Sequence, residues 1–247
     1  MVKAIGRFTL KRRAGMMIIP PFPLRHRGKE RPGMMAVDFR LYLITDRAQV
    51  PGHDLRAALK PALESGVQAI QLREKDLSDG EIFSLASALL PLCRQYGAKL
   101  MINDRADIAV AAGADGVQLT RVSYSAREAR RILGGEKLIG VSTHSVAEAE
   151  DAAREGADFI TLGPVFHTPS KRRYGPPVGI PLLREVARRV EIPVFAIGGI
   201  KPAVVPEVFH AGAFGVALIS GILGAADMGK AAREFAALTG RQGAAAE

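Results

Sequence analysis

The sequence predicts an α/β protein built as a single (β/α)8 TIM barrel, preceded by a basic N-terminal extension. Three observations carry this expectation. From Arg40 onward, short β-rich runs alternate with amphipathic helical stretches, and the alternation occurs eight times. The runs are mostly apolar, as parallel strands covered on both faces tend to be. A helix end, a glycine and a strand start recur as Ser65-Gly-Val-Gln-Ala-Ile70, Gly113-Ala-Asp-Gly-Val117, Gly156-Ala-Asp-Phe-Ile160 and Gly212-Ala-Phe-Gly-Val216, ahead of the second, fourth, sixth and eighth runs. Eight units in this length favour a closed barrel over a doubly wound open sheet.

Residues 1–33 show no clear period, and Pro20, Pro21, Pro23 and Pro32 break any helix or strand there. They are expected to be a disordered extension, or sequence read through ahead of a start at Met34 or Met35, with residues 34–247 forming the barrel. Met16-Met-Ile-Ile19 is too short and too closely bounded by proline for a signal peptide. The chain carries a net charge of +9, but residues 1–33 hold nine basic residues and one acid, so the body is nearly neutral. That gives no case for nucleic-acid binding by the folded part. No apolar run approaches the roughly 18 residues of a membrane span. The lone Cys93 cannot form an internal disulfide, which fits a cytoplasmic protein, and its place in the amphipathic stretch from Ile82 to Tyr96 marks it as a core residue. The oligomeric state is left open, a homo-oligomer included.

The first expected strand, Leu41–Thr45, ends at Asp46. The second, Ala69–Leu72, runs into Gln71-Leu72-Arg73-Glu74-Lys75, where an amide and two cations gather at a strand end. Arginine offers a planar fork and lysine a point charge, a pairing suited to a diphosphate. The third, Lys99–Ile102, ends in Asn103 and Asp104 and turns helical at once. Asp104 there is either a helix N-cap or a group of the catalytic face.

The fourth, Gly116–Leu119, leads to Thr120-Arg-Val-Ser123. Asp115 and Asp158 stand at the amino ends of the fourth and sixth strands, the stability face of a barrel, and are excluded from the site. The fifth, Leu138–Val141, leads to Ser142-Thr-His144-Ser145. Ser145, three residues before Glu148, fits a capping box, which leaves Ser142 and His144 as site candidates.

The sixth, Phe159–Leu162, is followed by a long connection through Thr168, Pro169, Ser170 and Lys171, a length that often marks a binding loop. The seventh, Val194–Ile197, and eighth, Gly215–Leu218, end in Gly198-Gly199 and Ile219-Ser220. Glycine-rich turns after these two strands suit a monophosphate site built on backbone N–H groups.

As an ordered set these motifs resemble the thiamin phosphate synthase superfamily, which includes the thiazole tautomerases. The resemblance runs from Arg40 to Leu238. It implies small phosphorylated substrates: a hydroxymethylpyrimidine diphosphate loses diphosphate, by a dissociative Mg2+-assisted substitution, and is trapped by the nitrogen of a thiazole phosphate. By motif, Gln71, Leu72, Arg73, Glu74, Lys75, Asn103, Ser142 and Lys171 would hold the pyrimidine diphosphate, and Asp104 would ligate Mg2+. Thr168, Pro169, Ser170, Gly199, Ile219 and Ser220 would hold the thiazole phosphate. His144, Lys171 and Ser142 are the catalytic candidates.

The sequence departs from the resemblance at one place. Synthases carry a second metal-binding Asp after the fourth strand, and that position is Ser123 here; Asp46 is a substitute carboxylate. The departure opens two further readings: a tautomerase with His144 as acid and base, or a non-catalytic thiazole-phosphate-binding regulatory protein.

Overall fold

The computed structural model describes residues 37–120, 122–168 and 176–240. The expected extension, Pro169, Ser170 and Lys171 lie outside the described residues. Eight parallel strands close into a barrel in chain order: β1 (Leu41–Ile44), β2 (Ala69–Leu72), β3 (Lys99–Asn103), β4 (Gly116–Leu119), β5 (Leu138–Thr143), β6 (Phe159–Leu162), β7 (Val194–Ile197) and β8 (Gly215–Leu218). Closure joins β8 to β1 with Tyr42 opposite Ala217. The outer helices are α1 (Leu55–Glu64), α2 (Asp79–Gln95), α3 (Ala106–Ala111), α4 (Ala126–Leu133), α5 (Val146–Arg154), α6 (Gly179–Arg189), α7 (Val205–His210), α8 (Ser220–Leu223) and α9 (Met228–Thr239). No helix among the described residues is long and apolar enough to cross a membrane.

Strand alternation sorts the side chains into two cores. Leu41, Leu43, Ile70, Leu72, Leu100 and Ile102 face the helices, where Cys93 is also buried. Burial pushes the Cys93 thiol up to about 12, so it stays protonated as a small apolar group. Inside the barrel, Phe39, Tyr42, Met101, Leu138, Phe159 and Phe195 form a plug. Phe39 meets Phe159 edge-on at 5.5 Å and Phe195 at 5.1 Å. Gly140 makes room for this packing, since a Cβ there would lie 2.4 Å from both the Phe159 ring and Gln118 Oε1.

The amino ends of the strands are tied by side chains on backbone. Gln68 accepts from Arg40 N at 2.7 Å, Asp115 from Leu100 N at 2.8 Å and Asp158 from Ile139 N at 2.7 Å. Asp115 and Asp158 are therefore structural, as their position implies. Gly66, Gly113, Gly156 and Gly212 all take positive φ, which ends each helix and turns the chain into the next strand.

Two strands run past their expected ends. β3 includes Asn103, paired with Gln118, and β5 includes Ser142 and Thr143, paired with Thr161 and Leu162. Ser142 is thus a strand residue of the barrel wall. Neighbouring ladders carry Asn103 and Ser142 into the sheet, whereas β-branched Thr143 suits a strand by itself.

Candidate active site

The carboxyl ends of β2 and β3 and the start of α2 enclose a cleft of about 320 Å³, lined by Glu74, Lys75, Asn103, Asp104 and Arg105 among others. In the loop after β3, Asp104 has φ of 59°, a left-handed conformation uncommon outside glycine but open to Asp, and one that a held side chain favours. It is held. Asp104 Oδ1 accepts from Thr120 N at 2.9 Å and from the Ser123 hydroxyl, and Oδ2 accepts from Asn103 Nδ2 at 2.8 Å. The helix-cap reading of Asp104 is corrected here. Arg105 occupies the N-cap position of α3, and the Asp104 carboxylate reaches across to the β4 loop instead.

Arg105 fastens the wall of this cleft. Its guanidinium takes Asp107 in a two-point contact at 2.6 and 3.0 Å and also pairs with Asp79 at the start of α2. Lys75 is exposed on the cleft lining, and Arg73 is half-buried.

Glu74 and Leu72 contribute differently from the cations. Glu74 is buried, with Oε1 accepting from Thr45 Oγ1 at 2.5 Å and Oε2 from Arg47 N at 3.0 Å. Thr45 Oγ1 also accepts from Arg73 N at 2.9 Å. Glu74 therefore shapes the loop that carries Arg73 and Lys75. The Leu72 side chain packs in the core under the helices, and the residue also borders the cleft.

Below the mouth a polar layer crosses the barrel. Gln71 Nε2 donates to Tyr42 Oη at 3.1 Å, and Tyr42 Oη donates to Gln118 Oε1 at 3.4 Å. Gln118 Nε2 donates to Ser142 Oγ at 3.1 Å and to Thr161 Oγ1 at 3.5 Å. Burial pushes the Tyr42 phenol far above its ordinary range, and the hydrogen bond from Gln71 opposes this only in part. The phenol is a fixed hydrogen-bonding group. Sequence reading missed Tyr42, Gln118, Thr161, Thr120 and Thr45. The available signal was polar side chains at inward-facing positions of otherwise apolar strands for Tyr42, Gln118 and Thr161, and hydroxyls one residue past the strand ends for Thr45 and Thr120.

A second cleft of about 330 Å³ lies between the β4 and β5 ends, lined by Thr120, Ser123, Ser142 and Glu148 among others. Contact between Ser123 and Asp104 joins the two regions. His144 sits half-exposed on the same rim, with its Nδ1 3.2 Å from Glu148. The expected capping box at Ser145 is only half formed. Ser145 accepts from Glu148 N at 3.2 Å, but Glu148 returns its carboxylate to His144 N at 2.7 Å rather than to the cap residue.

Asp46 accepts from Gln49 Nε2 at 2.6 Å within its own turn. Among the described residues no three His, Cys, Asp or Glu side chains gather as a metal cluster. The hard carboxylate of Asp104 fits a cation such as Mg2+ that takes most of its ligands from phosphate and water.

Across the mouth, Gly198 and Gly199 take φ of 95° and 67°. The chain after β6 lies against them: Val165 N donates to Ile197 O at 2.8 Å and Phe166 N to Gly198 O at 3.0 Å. A Cβ on Gly199 would stand 2.6 Å from His167 O. Ser220 opens α8 beside this turn, with the Cβ position of Gly221 3.6 Å from Ile200 O. Ile219 packs partly on the barrel interior, and Thr168 is half-buried on the same connection.

Fold and rim together define a (β/α)8 barrel whose carboxyl-terminal mouth is equipped for anionic small molecules. The family model described as "Thiamine monophosphate synthase" matches residues 41–222, and the chain belongs to that family. A relative from Geobacter sulfurreducens is 53% identical over 205 residues, covering 83% of this chain and 96% of its own. The thiamine-phosphate synthase of Roseiflexus castenholzii is 45% identical over 193 residues, covering 78% of this chain and 85% of its own. Among solved structures, thiamine phosphate pyrophosphorylase from Pyrococcus furiosus superposes with a TM-score of 0.75 at 37% identity, over 81% of this chain and 95% of that one.

Proposed function

We propose that this protein couples a hydroxymethylpyrimidine diphosphate to a thiazole phosphate, forming thiamin phosphate and diphosphate. The observation that carries the reading is the meeting of Lys75, Asn103 and Asp104 around one cleft at the barrel mouth, in a family member. Breaking the bond to diphosphate places negative charge on the leaving oxygens. Arg73 and Lys75 neutralise that charge where it develops, and their fixed loop removes the cost of reorganising solvent. Gln71, held by Tyr42, orients the pyrimidine from below; Asn103 and Ser142 hold the diphosphate, and Leu72 contributes through its backbone.

Mg2+ bound at Asp104 would act as a Lewis acid on the leaving diphosphate. Gly199, Ile219 and Ser220 hold the thiazole phosphate on the opposite rim, so that its ring nitrogen faces the methylene carbon from which diphosphate departs. Thr168, Pro169, Ser170 and Lys171 complete the substrate contacts. A cytoplasmic location accords with a single cysteine buried in the core.

The test supplies pyrimidine diphosphate, Mg2+ and either thiazole phosphate isomer. The expected result is thiamin phosphate formation that disappears in Asp104→Ala. Isomer interconversion without coupling, lost in His144→Ala, would replace this reading with a tautomerase. Thiazole phosphate binding with neither reaction would replace it with a regulatory protein.

A further inference from the structure

We infer that the free protein does not hold a divalent cation at its mouth, and that the cation arrives already complexed to diphosphate, with Asp104 Oδ2 as its one carboxylate contact. The inference rests on the diphosphate reading above and deepens it. A carboxylate oxygen has about two lone-pair sites. Asp104 Oδ1 spends both, on Thr120 N and on the Ser123 hydroxyl, and Oδ2 spends one on Asn103 Nδ2. One site remains.

Ser123 cannot make up the deficit as a charged ligand. Its hydroxyl donates to Asp104 and lies 2.8 Å from Thr120 N and 3.1 Å from Thr120 Oγ1, so it is bound into the loop rather than presented to the cleft. No group of three acidic, histidine or cysteine side chains forms among the described residues. The other two carboxylates lining the cleft are engaged elsewhere, Glu74 by Thr45 Oγ1 and Arg47 N and Asp79 by Arg105. Mg2+ needs about six oxygens in near-octahedral array and gives up its waters reluctantly. One carboxylate oxygen does not repay that loss, whereas two diphosphate oxygens together with the charges of Arg73 and Lys75 nearby do. The cation and the diphosphate therefore bind as a unit.

The experiment titrates Mn2+ into the protein alone, reading bound metal from the loss of the free-ion electron paramagnetic resonance signal, and separately measures retention of labelled inorganic diphosphate by equilibrium dialysis. For the wild type the expected Mn2+ dissociation constant without diphosphate is weaker than about 1 mM, while Mg2+ strengthens diphosphate retention about tenfold or more. Asp104→Asn should remove that strengthening. Ser123→Asp, which sets a second carboxylate beside Asp104, should tighten Mn2+ binding to the protein alone by about tenfold or more. Tight Mn2+ binding to the wild type without diphosphate, lost in Asp104→Asn, would overturn the inference, and so would a folded Ser123→Asp protein with unchanged Mn2+ affinity. Failure to retain diphosphate with or without Mg2+ would instead overturn the diphosphate reading itself. The wild-type measurements decide even where a variant does not fold.

Discussion

The buried carboxylate of Glu74 accepts a 2.5 Å hydrogen bond from the Thr45 hydroxyl, and that hydroxyl accepts in turn from Arg73 N. The end of β1 therefore positions the cationic loop after β2. Glu74→Ala would leave Thr45 Oγ1 and Arg47 N without their acceptor. A loss of about 2–3 kcal/mol in stability is expected, from denaturant unfolding, together with a raised KM for the pyrimidine diphosphate. An unchanged KM would show that the loop holds its shape without Glu74.

Tyr42 stands between Gln71 and Gln118 with its hydroxyl fully buried. Tyr42→Phe keeps the ring and its aromatic contacts and removes one partner from each amide. Stability should fall by about 1–3 kcal/mol. Steady-state kinetics should show a several-fold rise in KM for the pyrimidine diphosphate and little change for the thiazole phosphate, because the two amides that lose a partner, Gln71 and the Gln118 that holds Ser142, both serve the pyrimidine diphosphate side. Equal changes in both constants would point to a general loosening of the barrel.

Gly199 combines a φ of 67° with the close approach of His167 O. Gly199→Ala should displace the chain after β6 and raise KM for the thiazole phosphate about tenfold or more, since small displacements at a binding turn are amplified in rate. The KM for the pyrimidine diphosphate serves as the internal control. A normal thiazole phosphate KM would remove Gly199 from the site.

Asp158 lies at the opposite end of the barrel, where it takes both Ile139 N and the Arg130 guanidinium at 2.7 Å. Asp158→Ala should cost about 2–4 kcal/mol in unfolding experiments. Its kinetic constants at 25 °C should match the wild type, because the substitution does not reach the mouth. Impaired kinetics in the folded variant would contradict the assignment of this acid to stability.

The capping box of α4 gives a pH dependence of definite sign. The backbone N–H and hydroxyl of Ser125 both donate to Glu128 and hold its carboxyl below the ordinary glutamate range. A depressed folded-state value means that the contribution is present above about pH 4.3, the unfolded value, and is lost as pH falls through the folded one. Thermal melts followed by circular dichroism should therefore show a smaller Tm advantage of the wild type over Glu128→Ala at pH 3 than at pH 7. An advantage that grew on acidification would reverse the sign.

The strand starts were legible because apolar runs and helix-ending glycines are local signals. Ala69, Gly116, Phe159, Val194 and Gly215 all begin strands where the alternation places them. The end of β5 was less legible. Ser142 reads as a turn residue and masks the strand preference of Thr143 beside it, and pairing with Thr161 and Leu162 holds both in the wall. Phe39 lay ahead of the first recognised element, so nothing local marked it as the floor of the barrel. The rim residues were visible as motifs, but their division of labour was not. Glu74 and Lys75 are neighbours in the chain, yet one is buried under Thr45 and the other lines the cleft.

Periodicity, turn glycines and rim motifs were enough to set the eight-unit order, the closed sheet and the end of it that carries the chemistry, because each depends on residues a few positions apart. Closure of the barrel decided the rest. It set the Ser123 hydroxyl on Asp104, 19 residues away, and Tyr42 against Gln118, 76 residues away. Such pairs form when eight separately encoded strands are forced into one ring, where inward side chains must share a single small interior. No local pattern specifies which of them will meet.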